Sequence, residues 1–426
     1  MQTNPASFDV LIIGAGAAGL MAARHLAQQG KSVAIVEALD RTGGRMYTIT
    51  HEGFAKPVEL GAEFIHGDLP LTKSLLDEAG IAYVPADGSN WQGSKGEFTQ
   101  QESFAEEDES GLPCDTLEKD ITVAQFLAQV EDPEEKAAMQ DYAEGYFAAD
   151  TNRSSAKALC EDLAAEYEEQ YRPVGGYRPL VQYLEAQCRE MGVAFFLEQA
   201  VREIRWQRGS ATVFTTGQSF TAAQVLITVS LGVLQSEKIL FLPALPQQKT
   251  EAIKALGFGH VVKVALQFSE AFWKNPEYTG GKALDNLFFL FFEAAIPTWW
   301  TQHPQQDALL TGWMGGPKAA ALQQLSEQEL VEKAIASLLQ IFAINEERLR
   351  GLLQGAAAHN WSADPYFHGA YSYEVVDGHR HINTLLEPED NTLFFAGEAL
   401  HAGAAIGTVE GALASGLAAA QKMSGQ

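Results

Sequence analysis

The feature that most constrains the chain is Gly14-x-Gly16-x-x-Gly19, set between an apolar run at Phe8–Ile13 and a helix-forming stretch at Leu20–Gln29. The apolar run predicts a buried strand, Gly30 ends the helix, and Ser32–Val36 predicts a second short buried strand. The chain therefore opens as a β-α-β unit. In such a unit Gly14 permits the tight turn, Gly16 lets the backbone approach a pyrophosphate, and Gly19 lets helix and strand pack closely. The free N–H groups at the helix start, around Ala17, then bind phosphate oxygens. Glu37, followed by Ala38, ends the second strand where a carboxylate accepts ribose hydroxyls. The glycines alone do not separate NAD from FAD. The next segment, Arg41-x-Gly43-Gly44-Arg45, does better: paired glycines let backbone lie against a ligand, and either arginine can pair with phosphate. Its bland alternative is a Gly-Gly turn with a solvated arginine.

With 426 residues the chain exceeds what one hydrophobic core organises, so two or three domains are expected. The acidic stretch Glu97–Asp120 predicts a surface loop, and Pro133–Arg189 a mostly helical region broken near Pro173–Gly176. Val193–Leu197, Val201–Trp206 and Ala211–Thr216 predict a meander, and Gln224–Val229 a buried strand. Val261–Phe268 alternates, with Lys263, Ala265 and Gln267 on one side and apolar residues on the other. Ser326 and Glu329 form a capping box before a helix whose stripe is Leu330, Ala334, Leu338 and Phe342. Thr392–Ala396 predicts a strand and Thr408–Met423 a helix of small residues. Both chain ends thus belong to one α/β domain, interrupted by different material.

The formal net charge of −26 repels nucleic acid and attracts cations. It serves solubility, or it steers a cationic substrate. No apolar run reaches about 18 residues, so no membrane span is expected, and Met1–Ser7 lacks the basic start of a secretory signal. Cys114, Cys160 and Cys188 are widely spaced without a CxxC pattern, which argues against a disulfide framework or a zinc site and fits a reducing cytoplasm.

At these residues the chain resembles the flavin-containing amine oxidase family, which includes monoamine oxidases, polyamine oxidases and lysine-specific histone demethylases. The resemblance is strongest in Asp9–Thr48, Glu59–Gly67 and Trp361–Ala420. It implies a discontinuous Rossmann-like FAD-binding domain (1–85, 193–240 and 385–426) and an α+β substrate domain with a mixed sheet flanked by helices. The substrate domain would take 86–192, whose helical part is about 120–190, and 241–384. Glu59-Leu-Gly61-Ala62-Glu63-Phe-Ile-His66-Gly67 then passes the isoalloxazine ring, and Val201 meets the adenine through its backbone. Gly397 and Glu398 lie near the ribityl chain, and the helix starting at Thr408 and Val409 points at the flavin N1–C2=O edge, where negative charge develops.

Lys263 is the sharpest single residue, the one charge in an apolar strand. By resemblance it bonds through a water to flavin N5; by itself it could equally be an edge-strand lysine snorkelling to water. Trp361 and Tyr371, in W-S-A-D-P-Y-F-H-G-A-Y, resemble the family's aromatic segment facing the flavin, and ordinary core packing is the alternative. His66 matches the histidine of animal-type polyamine oxidases and, titrating near neutrality, could bond a substrate nitrogen. Glu63 is a candidate ammonium contact; for both residues a structural hydrogen bond is the alternative. Ala370 stands where monoamine oxidases carry the flavin-linking cysteine, so FAD is expected to be non-covalent. His401–Thr408 holds no aromatic residue, which leaves the aromatic cage half open. The resemblance implies oxidation of a small amine, with polyamines among the candidates, by hydride transfer to N5, giving imine and then aldehyde or ketone, with O2 reduced to hydrogen peroxide. An L-amino-acid oxidase, a desaturase or a non-catalytic FAD-binding protein remain open alternatives.

Overall fold

The computed structural model describes residues 6–94, 96–101, 117–164, 169–401 and 405–425. Its opening follows from the glycines. The strand Ala6–Ile13 turns at Gly14, whose φ of +109° suits glycine, into the helix Ala17–Gln28 with Gly16 as N-cap. A Cβ on Gly19 would stand 2.0 Å from the Gly14 carbonyl oxygen, so only glycine lets the helix lie this close to the turn.

An eight-stranded sheet builds the nucleotide domain. Ala194–Phe196, Val33–Val36, Ala6–Ile13 and Ser219–Ile227 lie side by side in parallel. Ser210–Thr215 and Val201–Gln207 continue the sheet antiparallel, and Leu240–Leu242 closes it. Leu393–Phe395 joins the C-terminal half of Ser219–Ile227, pairing Val225, Leu226 and Ile227 with Leu393, Phe394 and Phe395. The expected meander is therefore Val201–Ile227, and the 194–196 strand sits at the opposite edge. Proximity in sequence suggested a meander; parallel pairing with Val33–Val36 through Ala194–Phe196 decides otherwise.

The second sheet has seven strands in the order Leu353–Asn360, Val261–Phe268, Leu309–Gly315, Thr298–Trp300, Leu287–Phe291, Ser89–Ser94 and Glu97–Gln101. Its pairs are antiparallel except Leu287–Phe291 with Ser89–Ser94, so it is mixed. The helix Glu327–Ile341, opened by the Ser326–Glu329 capping box, covers one face with Leu330, Ala334 and Leu338. The opposite face meets the functional cavity. Val261–Phe268 lies between two strands and is buried along its whole length, which excludes a snorkelling edge position for Lys263.

Two corrections concern extent. The acidic composition of 97–120 predicts a loop, yet Glu97–Gln101 is a strand, because Phe98 turns inward against Phe342 while its polar neighbours Glu97 and Thr99 face out. Residues 102–116 of that stretch lie outside the described residues. The helix Arg178–Glu190 falls within the expected substrate domain but packs Leu180, Val181 and Leu184 into the core of Ala17–Gln28. Gln247–Ala255 and Gly378–Leu386 likewise join the nucleotide core through Ile253, Ile382 and Leu385. Buried Lys249 ties them by donating to the carbonyls of Thr384 (2.7 Å) and Leu385 (3.2 Å) at a helix C-terminus, where cations are favoured.

The wide cysteine spacing argues against disulfides, but Cys160 is disulfide-bonded, so the cysteines lend no weight to a cytoplasmic location. Cys188 is a buried free thiol, pushed up to about 12 by burial. No helix among the described residues is long and apolar enough to cross a membrane.

Candidate active site

One cavity of 2230 Å³ runs between the two sheets. It exceeds the roughly 300–1,000 Å³ of a site for one drug-sized ligand, as a room for a cofactor and a substrate together must. Gly14, Gly16, Ala17, Glu37, Ala38, Gly44, Arg45 and Val201 line its nucleotide end; Gly61, Ala62, Gly397, Glu398, Thr408 and Val409 line its middle. Lys263, Glu63, His66, Trp361 and Tyr371 line it as well. Residues from widely separated segments of the chain thus meet in one space.

The nucleotide end fits FAD on its own geometry. A Cβ on Gly16 or Gly397 would meet no atom within 4 Å, so both backbones are bare toward open space. Two helix N-termini, those of Ala17–Gln28 and Val409–Ser424, open onto the cavity and favour negative charge. Thr408 caps the second by accepting from Gly411 N at 3.1 Å. Glu37 accepts from Ala15 N at 2.7 Å and Leu39 N at 2.9 Å, which braces its carboxylate at the strand end with lone pairs to spare for hydroxyls. Burial raises its pKa, against the pull of those two amides.

The two arginines of the Gly-Gly turn part company. Arg45 donates to Glu398 Oε1 and to the Ala370 carbonyl, both at 2.6 Å, and Ser372 donates its hydroxyl to Glu398 Oε2. Glu398 is thereby the buried knot joining 45 to the 370–372 segment. Arg41 does not line the cavity: its guanidinium lies 3.9 Å from the Tyr47 ring centroid and donates to Gly44 O at 2.9 Å, bracing the turn from behind. Gly19 is also off the cavity, in its packing role. Gly61 is small for a reason beyond the ring expected against it, since a Cβ there would stand 2.0 Å from Arg45 O.

At the catalytic end, Lys263 donates to Gly61 O at 3.0 Å and to Glu63 Oε2 at 2.8 Å, with the Trp300 ring 5.2 Å away. The other Glu63 oxygen receives Arg172 Nε (3.0 Å), Trp300 Nε1 (3.0 Å) and Gln302 Nε2 (3.1 Å). Burial raises the Glu63 carboxyl, but Lys263 and Arg172 outweigh it and hold the pKa at about 2. Four donors occupy this carboxylate, so Glu63 is placed to hold Lys263 rather than a substrate ammonium. Arg172 is used up in turn, donating also to the carbonyls of Thr301 (2.9 Å) and His303 (3.2 Å).

The aromatic walls are richer than 401–408 predicts. Trp361 donates its indole N–H to Leu60 O at 3.0 Å. Tyr371 donates its hydroxyl to Tyr146 O and stacks on Trp313 at 6.3 Å and 19°. Register opposes Trp313 to Lys263 on adjacent strands, so both rise from the cavity face of the sheet. Trp313 thus supplies an aromatic wall that 401–408 does not; residues 402–404 of that stretch lie outside the described residues. His66 sits between the rings of Phe64 and Tyr146, each 5.8 Å away, and burial lowers its pKa to about 4. It is a neutral imidazole near pH 7, not the near-neutral titrating group its type suggests.

Arg172, Trp300, Gln302 and Trp313 are the residues that sequence reading missed. The one signal for them was the Trp299–Trp300 pair, a pattern equally common in plain cores.

The chain belongs to the flavin-containing amine oxidoreductase family, whose model matches residues 17–424. Among curated proteins it is 31% identical over 464 residues to polyamine oxidase 2 of Arabidopsis thaliana, covering 99% of this chain and 88% of that one. It is 29% identical over 451 residues to polyamine oxidase 3 of Oryza sativa subsp. japonica, with 97% and 88% covered. Among solved structures, putrescine oxidase bound to putrescine superposes with a TM-score of 0.78 at 23% identity, covering 99% of both chains. Cyclohexylamine oxidase from Brevibacterium oxydans does so with 0.78 at 22% identity, over 98% of this chain and 99% of that one. The protein is an FAD-dependent amine oxidase.

The cofactor is expected to leave the protein intact. Ala370 lines the cavity and offers no nucleophile. Acid precipitation should release the yellow chromophore to the supernatant; colour retained in the washed pellet would show a covalent bond elsewhere.

Proposed function

We propose that the enzyme oxidises a polyamine and passes the electrons to O2, releasing hydrogen peroxide. The observation that carries this reading is the set of carboxylates on the cavity wall. Its walls include Asp68, Asp87, Asp141, Asp162, Glu169 and Glu293, from beside the small Ile65–His66/Gln170–Pro173/Tyr83–Pro85 sheet, the helices Pro133–Gly145 and Ala156–Ala164, and the turn after Leu287–Phe291; of these Asp141 is paired with Lys318 at 3.2 Å. Together with the net charge of −26, these carboxylates attract polycations to the cavity. The polyamine oxidases among the relatives support the same substrate class.

FAD, when bound, supplies the hydride acceptor and the site that reacts with oxygen. The chain's contribution is position and field. Lys263 spends two of its N–H bonds on Gly61 and Glu63 and keeps a third for a water or a reacting oxygen. Trp361, Tyr371 and Trp313 form apolar walls that exclude bulk water and align the amine carbon, and their faces attract the cationic form on entry. An amino-acid substrate is disfavoured, since Arg172, the guanidinium beside the catalytic end, is already committed to Glu63 and two carbonyls.

The test is an anaerobic flavin-bleaching series with spermine, spermidine, putrescine, benzylamine and amino acids. Spermine or spermidine should bleach the flavin fastest, and kcat/KM should fall as salt rises to physiological strength, where the Debye length shortens to about 8 Å. Faster bleaching by benzylamine or an amino acid at every salt concentration would overturn the proposal.

A further inference from the structure

Buried polar atoms in folded proteins are almost always hydrogen-bonded, so those that are not call for a physical reason. Among the described residues, four such atoms belong to side chains that line the cavity: Ser154 Oγ, just before the helix Ala156–Ala164, and those of three strand residues, His66 Nδ1, Gln170 Oε1 and Asn90 Oδ1. The last three come from three different strands. His66 and Gln170 are register partners on Ile65–His66 and Gln170–Pro173, which places their side chains on one face, about 4.5–5.5 Å apart at Cβ. Ala86 N donates to Gln170 O at 2.8 Å, four residues before Asn90, which lines the same cavity. Asn90 stands on Ser89–Ser94 with Gln92 on the cavity side, while Trp91 between them turns into the core.

The three strand groups share one chemistry. Each is uncharged: two are carboxamides, and burial keeps the imidazole neutral by lowering its pKa to about 4. Each can accept a hydrogen bond from N–H without setting a second full charge inside the protein. The carboxylates nearby, Asp68, Asp87 and Glu169, lie at the same wall and supply negative potential. Glu63, the buried carboxylate closest in sequence to His66, is saturated by Lys263, Arg172, Trp300 and Gln302. A cationic nitrogen lodged here therefore meets acceptors that are unspent.

We propose that Gln170 and Asn90, beside His66, form a subsite that accepts N–H bonds from a second, non-reacting nitrogen of the substrate chain and so selects amines that carry one. This rests on the amine-oxidase reading of the cavity and adds the residues that read substrate length. Leaving a buried acceptor unpaired, or a substrate N–H without an acceptor, weakens binding; that is how such a subsite rejects an alkylamine that lacks the second nitrogen.

The experiment compares kcat/KM for spermidine and hexylamine in the holoenzyme and in Gln170→Leu, Asn90→Leu and Gln170→Glu. The spermidine-to-hexylamine ratio should drop about tenfold or more in each leucine variant, the equivalent of one lost hydrogen bond. Gln170→Glu keeps the shape and the acceptor and should hold or raise the ratio. Flavin absorbance per chain reports whether each variant is folded and loaded, and the ratio is insensitive to the loaded fraction. A ratio unmoved in both leucine variants overturns the subsite. If spermidine fails to bleach the wild-type flavin at all, the polyamine reading itself fails, which is a different and separately visible outcome.

Discussion

Lys263→Met is expected to slow flavin reduction, flavin reoxidation or both by about a hundredfold or more, the scale of losing one positioned catalytic group, while FAD stays bound. The lysine sits on a central strand with neighbours on both sides, and its Nζ touches Gly61 of the segment lining the middle of the cavity. Methionine has similar length and no charge, so it keeps the packing and removes the N–H bonds. Glu63 retains Arg172 as its counter-charge, so the substitution should not leave an unpaired carboxylate. Anaerobic stopped-flow reduction followed by mixing with oxygenated buffer separates the two half-reactions. Unchanged rates in both would remove Lys263 from the chemistry.

Glu63→Leu should have the larger effect on the fold. It deletes the acceptor of four donors and leaves Arg172 and Lys263, both nearly fully buried, facing each other without an anion. Breaking a buried pair from one side costs about 3–5 kcal/mol, and two cations share this carboxylate. The apparent melting temperature, followed by release of flavin fluorescence, should drop by several degrees or more, and Glu63→Gln should fall between. A melting temperature equal to wild type for the leucine variant would mean that solvent already shields the two cations. The wild-type pair also sets an acid limit. A carboxyl held at about 2 in the fold contributes stability in full above the ordinary carboxylate range. That contribution drains away as pH falls from the unfolded value through the folded one.

How legible these residues are in the sequence depends on how local their causes are. The glycine turn and the Ser326–Glu329 cap announce themselves within a few residues and stand where their patterns place them, and the strand expected at Gln224–Val229 is the end of Ser219–Ile227. Lys263 is visible because an isolated charge in an apolar strand demands an explanation. Its partner is not, because Glu63 reads the same whether it faces a substrate or a lysine 200 positions away. Arg41 and Arg45 are indistinguishable as letters in one turn, and only the Tyr47 ring and the Glu398 carboxylate sort them. The Glu97–Gln101 strand is hidden by acidic composition, since one inward phenylalanine is enough to seat an edge strand. The misassigned helix 178–190 fails differently: its apolar stripe is plain, but which core it faces is a tertiary fact.

The strand Ser219–Ile227 takes Leu393–Phe395 as its neighbour, and this has a consequence for the chain's birth. On the ribosome, the nucleotide fold begins with Ala6–Ile13 and waits for a strand made roughly 380 residues later. At about 5–20 residues per second, that wait lasts some tens of seconds. For the last 166 or so residues of it (227 to 393), Val225, Leu226 and Ile227, already paired with Leu11, Ile12 and Ile13 on one side, leave their other backbone edge uncovered. The helix Val409–Ser424, one of the two whose N-termini open onto the cavity, is made later still. FAD loading is thus a late event in the life of each molecule, and the interval before it is when a chaperone has most to protect.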